Sequence, residues 1–340
     1  MKILHAANFS PFKYGRSFYS IDRKISWGCS RLGHFVYEFS YRDIARHESP
    51  FGGKFGGVKR MHRRLLETLD QLQPEVLLLG HTELIDGECL AAVRRDFPSL
   101  AIGMWYVDLI TPSKKQQIAS KMPYLDAFFV TSAGEALTQF QDIAAGVLSY
   151  LPNLCAASVE TGRAYQANCE YDFCFIGTPT PDRVELREKL KKALPDLRFA
   201  FHGSSEDRLE GADYLHTIGH SAMGLNYSRD NSVPLYSSDR IAQLMASGVL
   251  TFSPAIPELD KLIPEDCIVI YRNDEELIDR IRYFHAHPEQ RQKIAERGCA
   301  LTHQRFGAER ICAWMLNTIR QRTIDDSVEW ASFSWQKSHG

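Results

Sequence analysis

Short apolar runs alternate with amphipathic stretches along most of this chain, and that rhythm restricts the fold more than any other feature. The runs "KILHAA", "HFVYEFS", "EVLLLG", "AIGMWYV", "DAFFVTS" and "GVLSYL" have strand length. Between them "YSIDRKISWGCSRLG", "VKRMHRRLLETLDQL", "ELIDGECLAAVRRDF" and "AGEALTQFQDIA" carry helical periodicity. A βαβα order of this kind predicts an α/β protein, with parallel sheets covered by helices on both faces.

The rhythm breaks once and then restarts. Residues 151–170 have no clear period and carry Pro152, Asn153 and Gly162, which reads as a linker. "YDFCFIG" opens a second series, followed by the helix "PDRVELREKLKKAL" and the strands "LRFAFHG", "AMGLNYS", "GVLTFS" and "CIVIY". After Tyr271 the pattern is wholly helical. At 340 residues two domains are expected: a Rossmann-like domain over 1–150, a linker over 151–170, a second Rossmann-like domain over 171–305, and a helical tail over 306–340 that returns to the first.

A formal charge of −2 argues against a protein built around a polyanion. The eight cysteines form no C-x-x-C pair and no Cys/His cluster at zinc spacing, so reduced thiols in a cytoplasmic protein are expected. No run approaches the roughly 20 apolar residues of a membrane span. The Gly-rich stretch "SPFGGKFGGVKRMHRR" is not a P-loop, and its basic loop, residues 54–64, reads as a solvated face, a mobile loop that closes over an acceptor, or a peripheral membrane contact at the inner face.

Ligands of open α/β sheets bind at the carboxyl ends of strands, beside helix starts. "LNYSRDNSVPLYSSDRIAQLMASG" has the form strand, polar loop, helix start. Ser237 and Ser238 suit the N-cap, and Arg240 in the first turn opposes the helix dipole unless an anion is near. The same residues also fit a plain capped helix with Asp239 paired to Arg240 or Arg229.

This stretch, together with "YDFCFIGTPTPDR", "GLNYSRD" and "YRNDEELIDRIRYFHAHPEQRQKIAERG", resembles the carboxyl-terminal domain of GT-B glycosyltransferases, and within them CgeB-like group 1 members. The resemblance runs from about Tyr171 to Phe306. It implies transfer of a sugar from a nucleotide diphosphate donor, UDP-linked, to a glycan, lipid-linked glycan, protein or modified nucleic acid, with no separate cofactor. Arg240, Gln243 and Gly248 fall on family positions, with Gln243 where relatives carry a ribose-binding Glu. Donor contacts are expected from Gly177, Thr178, Arg183, His202, Asn226, Tyr236, Ser237, Ser238, Arg240 and Gln243. Gly177 and Thr178 also suit an ordinary βα turn, and His202 a solvated strand end.

No D-x-D motif occurs, so a metal-bridged diphosphate is not expected and no metal ligands are assigned. In an inverting reaction a base deprotonates the acceptor. Asp108 after "AIGMWYV" and His81 after "EVLLLG" stand at strand carboxyl ends, where an interdomain cleft is expected. Asp108 equally fits a loop cap before Thr111 and Pro112, and His81 a buried, backbone-bonded imidazole. Two rivals remain, a nucleotide-sugar epimerase on the same fold and a non-catalytic coat or assembly protein.

Overall fold

The computed structural model describes residues 1–50, 52–53 and 55–337. In chain order its elements are β1 (Lys2–Ala7), α1 (Ile21–Arg31), β2 (Phe35–Ser40), α2 (Tyr41–His47), α3 (Val58–Leu72), β3 (Val76–Gly80), α4 (Gly87–Asp96), β4 (Ala101–Tyr106), α5 (Pro112–Ala119), β5 (Ala127–Val130), α6 (Glu135–Thr138) and β6 (Val147–Tyr150). There follow β7 (Tyr171–Ile176), α7 (Pro181–Ala193), β8 (Phe199–His202), α8 (Gly211–Gly219), β9 (Ser221–Leu225), α9 (Arg240–Ala246), β10 (Leu250–Pro254), β11 (Val269–Tyr271), α10 (Asp274–Ala286), α11 (Pro288–Arg305), α12 (Ala308–Gln321) and β12 (Ser334–Trp335).

The chain divides into two units, Met1–Pro152 with the residues from Ala308 onward, and Asn153–Gly307. The first holds a seven-stranded sheet in the order β12-β6-β5-β4-β3-β1-β2. All neighbours are parallel except β12, which runs antiparallel to β6. β3 is buried along its whole length, as a strand covered on both faces must be. On α3 the buried positions Met61, Leu65 and Leu69 recur every four residues, so one stripe faces the sheet while Arg63 and Glu67 face out.

The tail completes this unit. α12 packs on α1, where a Cβ on Gly28 would stand 2.7 Å from the Ala308 carbonyl oxygen and the Cys312 sulfur. Only glycine permits that approach. Trp330 is fully buried with its ring 5.3 Å from that of Trp314, and Arg322 reaches Asp126 at 2.9 Å. Asp126 also accepts from Arg94 and from the Ile102 amide, each at 2.7 Å, so this buried carboxylate is well partnered.

The second unit holds a five-stranded parallel sheet, β11-β10-β9-β7-β8. Its core gathers Phe173, Phe175, Met223, Leu250, Phe252 and Leu277. In chain order the strands run outward from β7 to β8, then cross back to β9 on the other side. β7 and β9 therefore flank the topological switch point.

The segment "AGEALTQFQDIA" departs from the predicted helix. Only one helical turn forms, α6, after which separate turns (Phe140 N–H to Leu137 O, Ala144 N–H to Phe140 O) fold the chain over the buried Phe140. Among the described residues no helix is long and apolar enough to cross a membrane.

Candidate functional site

Three arginines meet at the carboxyl end of β7 in the second unit. Arg183 and Arg187 stand one turn apart on α7, a helix that starts with Pro181 at its first position, where the missing N–H costs nothing. Arg240 opens α9. Their guanidinium carbons lie 5.6, 5.2 and 4.9 Å from the centre of the Phe175 ring, so one aromatic ring organises all three.

Their hydrogen bonds go to backbone carbonyls across the switch point. Arg240 donates from Nε to Ile176 O at 2.7 Å and from Nη1 to Tyr227 O at 3.3 Å, joining the ends of β7 and β9. Arg183 spans the same crevice, to Thr178 O at 2.9 Å and Tyr227 O at 2.8 Å. Arg187 joins β7 to β8 through Gly177 O and His202 O, at 3.2 and 2.7 Å. Among the described residues no carboxylate forms an ion pair with any of the three. Burial, with mutual repulsion added, presses Arg240 down to about 10, and burial also lowers Arg183 and Arg187. Nη2 of Arg240 points past these carbonyls and lies beside Gly177, where a Cβ would be 2.7 Å away.

Gly177 and Gly203 shape the floor. A Cβ on Gly203, whose φ is +126°, would stand 2.3 Å from the Gly177 carbonyl oxygen. Two strand ends thus touch through backbone alone, and the place a Gly177 Cβ would take is held by the Arg240 guanidinium. His202 beside them holds Nδ1 3.7 Å from Asp207, whose carboxyl is kept low by the Ser204 hydroxyl. Asn226, fully buried, donates to Ser253 Oγ at 3.0 Å and leaves Oδ1 without a partner. Tyr236 is buried within electrostatic range of Arg183, and Thr178 is exposed.

One expectation at α9 needs correction. The N-cap is Asp239, not Ser237 or Ser238, and no side chain caps the helix. Ser238 has its own amide bonded to Ser228 Oγ at 2.9 Å, and its hydroxyl accepts from Arg240 at 3.2 Å. Ser237 is buried against Asn153, which donates to its hydroxyl at 2.9 Å. Gln243 is only 4% exposed and turned inward. Its Oε1 accepts from Tyr214 at 2.5 Å and its Nε2 donates to Asp239 Oδ2 at 2.9 Å, so both ends of the amide are engaged within the unit.

In the first unit His81 and Asp108 come after the adjacent strands β3 and β4. His81 takes φ +57° and Thr82 φ +39°, a sharp left-handed exit from β3 held by Lys121, which donates to Thr82 O at 2.5 Å. The Val107 amide donates to His81 Nε2 at 3.4 Å. That nitrogen is therefore the unprotonated one, and the proton sits on Nδ1, 3.6 Å from Asp108. Burial lowers the His81 pKa, and Asp108 opposes the shift. The imidazole is thus a neutral donor beside a carboxylate whose side chain is 72% exposed.

Glu83, next along, is already engaged. Burial alone would raise its pKa, but hydrogen bonds from Arg42, at 2.6 Å, and from Tyr41 outweigh that and hold it at about 2. At the end of β1 Asp22 accepts the Asn8 amide at 2.9 Å, and burial pushes its carboxyl up to about 6. In the basic loop Lys54 lies outside the described residues. Arg60 donates to Glu48 O at 2.9 Å and Arg64 pairs with Glu48 at 2.9 Å, so part of that charge is used internally.

Sequence reasoning missed Arg187, although its spacing from Arg183 on a helix was a visible signal, and it missed Tyr214 because α8 was not expected. It also found no metal-ligand cluster, whereas Glu170, His216 and His220 bring one ligand atom each within 4.8 Å of one another.

Residues 183–317 match the model of a glycosyl transferase-like family, a span that includes all three arginines. No curated protein matches the chain. Among solved structures, sucrose-phosphate synthase from Thermosynechococcus elongatus is similar with a TM-score of 0.64 at 12% identity, over 94% of this chain and 99% of that one. HepE of Anabaena, solved in complex with UDP, gives 0.58 at 12% identity, over 94% and 100%. AviGT4, a glycosyltransferase involved in avilamycin A biosynthesis, gives 0.57 at 14% identity, over 99% and 100%. At such identities the likeness is one of fold. The chain thus has the two-sheet fold of the GT-B glycosyltransferases, and residues 183–317 are similar to a glycosyl transferase-like family.

Proposed function

We propose that the chain is a glycosyltransferase that takes its sugar from a nucleotide diphosphate donor, with UDP as the carrier. One observation carries the reading: Arg183, Arg187 and Arg240 crowd the switch point of the second sheet, and among the described residues no carboxylate pairs with them. Like charges so close are held at a cost that a polyvalent anion removes, and a diphosphate at the carboxyl ends of β7 and β9, beside Arg240 Nη2 and Gly177, is such an anion. The UDP and UDP-glucose complexes of HepE support the choice of base.

The same three cations offset charge on a departing nucleoside diphosphate, which supports a reaction that needs no divalent ion at that point. Arg240 is the group that contacts phosphate, through Nη2. Arg183 and Arg187 fix the strand ends. Gln243 contributes by holding Asp239 and Tyr214 rather than by reaching the ribose directly.

On the acceptor side Asp108 is the base or the carboxylate that positions an acceptor hydroxyl. Its exposure leaves it open to a substrate, and His81 Nδ1 stands 3.6 Å from it. The CgeB-like group 1 assignment rests on the spacing of Arg240, Gln243 and Gly248. Contact with an anionic membrane face through the basic loop, residues 54–64, is supported by the exposure of Phe55, Lys59 and Arg63.

Calorimetry with UDP, UMP and uridine tests the donor site, and a UDP-sugar panel with NMR of the products tests the reaction. A transferred sugar supports the reading. A donor sugar rearranged without transfer would make the chain an epimerase, and the absence of any nucleotide binding would remove catalysis from consideration.

A further inference from the structure

From its amino-terminal side the second sheet presents a different chemistry. α8 ends at Gly219, and His220 caps it: both its backbone N–H and its ring Nδ1 lie 2.9 Å from the His216 carbonyl oxygen. A carbonyl only accepts, so Nδ1 carries the proton and the lone pair of the neutral ring is on Nε2. This is the arrangement by which metal-ligating histidines have their tautomer set, the second nitrogen donating to a backbone carbonyl.

His216 lies one turn earlier on the same helix face, its ring stacked on that of His220 at 3.9 Å between centroids. Its Nε2 is 3.0 Å from Glu170 Oε1. Glu170 is placed independently, because the Tyr171 amide, at the start of β7, donates to His220 O at 3.1 Å. Backbone hydrogen bonds therefore bring all three side chains together before any ligand arrives.

We infer that Glu170, His216 and His220 form a binding site for a divalent transition metal of the zinc class. Two imidazole nitrogens and one carboxylate oxygen are the donor set that suits such ions. Ligand atoms about 2.0–2.2 Å from a tetrahedral zinc stand roughly 3.4 Å apart. The Glu170–His216 pair is already near that spacing at 3.0 Å, and the three ligand atoms lie within 4.8 Å of one another, so small side-chain rotations complete the site. On binding, the hydrogen bond between His216 Nε2 and Glu170 gives way to a bond from each to the metal, with the proton of the neutral His216 ring on Nδ1 as it is in His220.

The site does not touch the arginine cluster. Glu170 precedes β7 and His220 precedes β9, whereas the arginines gather after both strands. A metal here clasps the segment before β7 to the end of α8, and its role is to hold that edge rather than to take part in phosphate chemistry. The metal site does not depend on the proposed reaction.

The test uses the whole chain, freed of metal by a chelator and then titrated with Zn2+ in a calorimeter and with Co2+ in a visible spectrometer. One metal per chain is expected, with cobalt absorption in the visible range, a rise in melting temperature on adding Zn2+, and UDP affinity unaffected. His216→Ala, His220→Ala and Glu170→Gln each lie at or near the surface and should fold. Each should weaken Zn2+ binding at least about tenfold and abolish the melting shift. Absence of a stoichiometric site in the unaltered chain, or binding that persists unchanged in the His216→Ala/His220→Ala double variant, would overturn the inference.

Discussion

Replacing Arg240 by alanine separates the proposed diphosphate site from a purely structural arginine cluster. The side chain has two duties. Nε and Nη1 join Ile176 O to Tyr227 O across the switch point, and Nη2 is left over beside Gly177. One charge-assisted hydrogen bond is worth about 1.5–3 kcal/mol, or roughly 10–150-fold in affinity. Alanine also leaves Ile176 O without this donor, whereas Tyr227 O keeps Arg183 at 2.8 Å, so a stability loss of about 1–3 kcal/mol should appear in urea melts. Arg240→Lys keeps the charge without the fork and should fall between the two. Titration calorimetry at fixed ionic strength with UDP, UMP and uridine provides the readout, since screening otherwise confounds the comparison. UDP should lose about 10–150-fold while uridine is unchanged. Equal losses for UDP and uridine, or an unchanged UDP affinity in a variant that still melts cooperatively, would refute the assignment of phosphate to Arg240.

Asp108→Asn should lower turnover about 10²–10⁴-fold with donor affinity intact if Asp108 is a base, whereas a raised acceptor KM alone would mark it as a positioning group; a near-silent Asp108→Asn beside a large loss in His81→Ala would move the role to His81. Gln243→Glu should destabilise the second unit by about 1–3 kcal/mol at neutral pH, because the new carboxylate meets Asp239 where an amide N–H stood at 2.9 Å, and urea melts showing no loss would contradict the inward placement. Activity should survive EDTA while the melting temperature falls, and loss of turnover restored by manganese would overturn metal-independent transfer. Burial, with Arg23 nearby, holds His5 at about 3 against 6.5 when unfolded, so the unfolded chain binds the extra proton and stability falls as pH drops from about 6.5 towards 3, by about 2 kcal/mol at pH 5. Asp22, held at about 6, works in the opposite sense between about pH 6 and 4, so the check is that His5→Asn loses less stability between about pH 7 and 5 than the unaltered chain does.

Elements whose burial is set locally were legible. "VLLLG" is apolar at every position because both of its faces are covered, and the stretch "VKRMHRRLLETLDQL" spans α3 from end to end because its apolar stripe has one period throughout. α8 was not legible. It is short, begins and ends in glycine, and carries Tyr214, His216 and Ile218 without a clean stripe. That one omission hid the partner that turns Gln243 inward and also the two histidines beside Glu170. Ser238 looked like a cap because its chemistry suits one. What its backbone does is decided by Ser228, ten residues earlier on the far side of a loop, and no local pattern records that bond. Arg183 and Arg240 were legible as cations near a strand end. Their shared dependence on the Phe175 ring was not, since it needs α7, α9 and β7 in place together.

The order in which the chain is synthesised has a consequence for the first unit. Residues 153–307 are contiguous and can fold as soon as they are available, but the first sheet must wait for α12 and β12, which are made after them. Until α12 arrives, α1 exposes the face around Gly28, and until β12 arrives, β6 is an open edge strand. A stop or slow step in translation before Ala308 would therefore leave a finished carboxyl-terminal unit attached to an unfinished, adhesive amino-terminal one. Premature termination in this region should yield aggregates or chaperone-bound chains rather than a shortened folded protein.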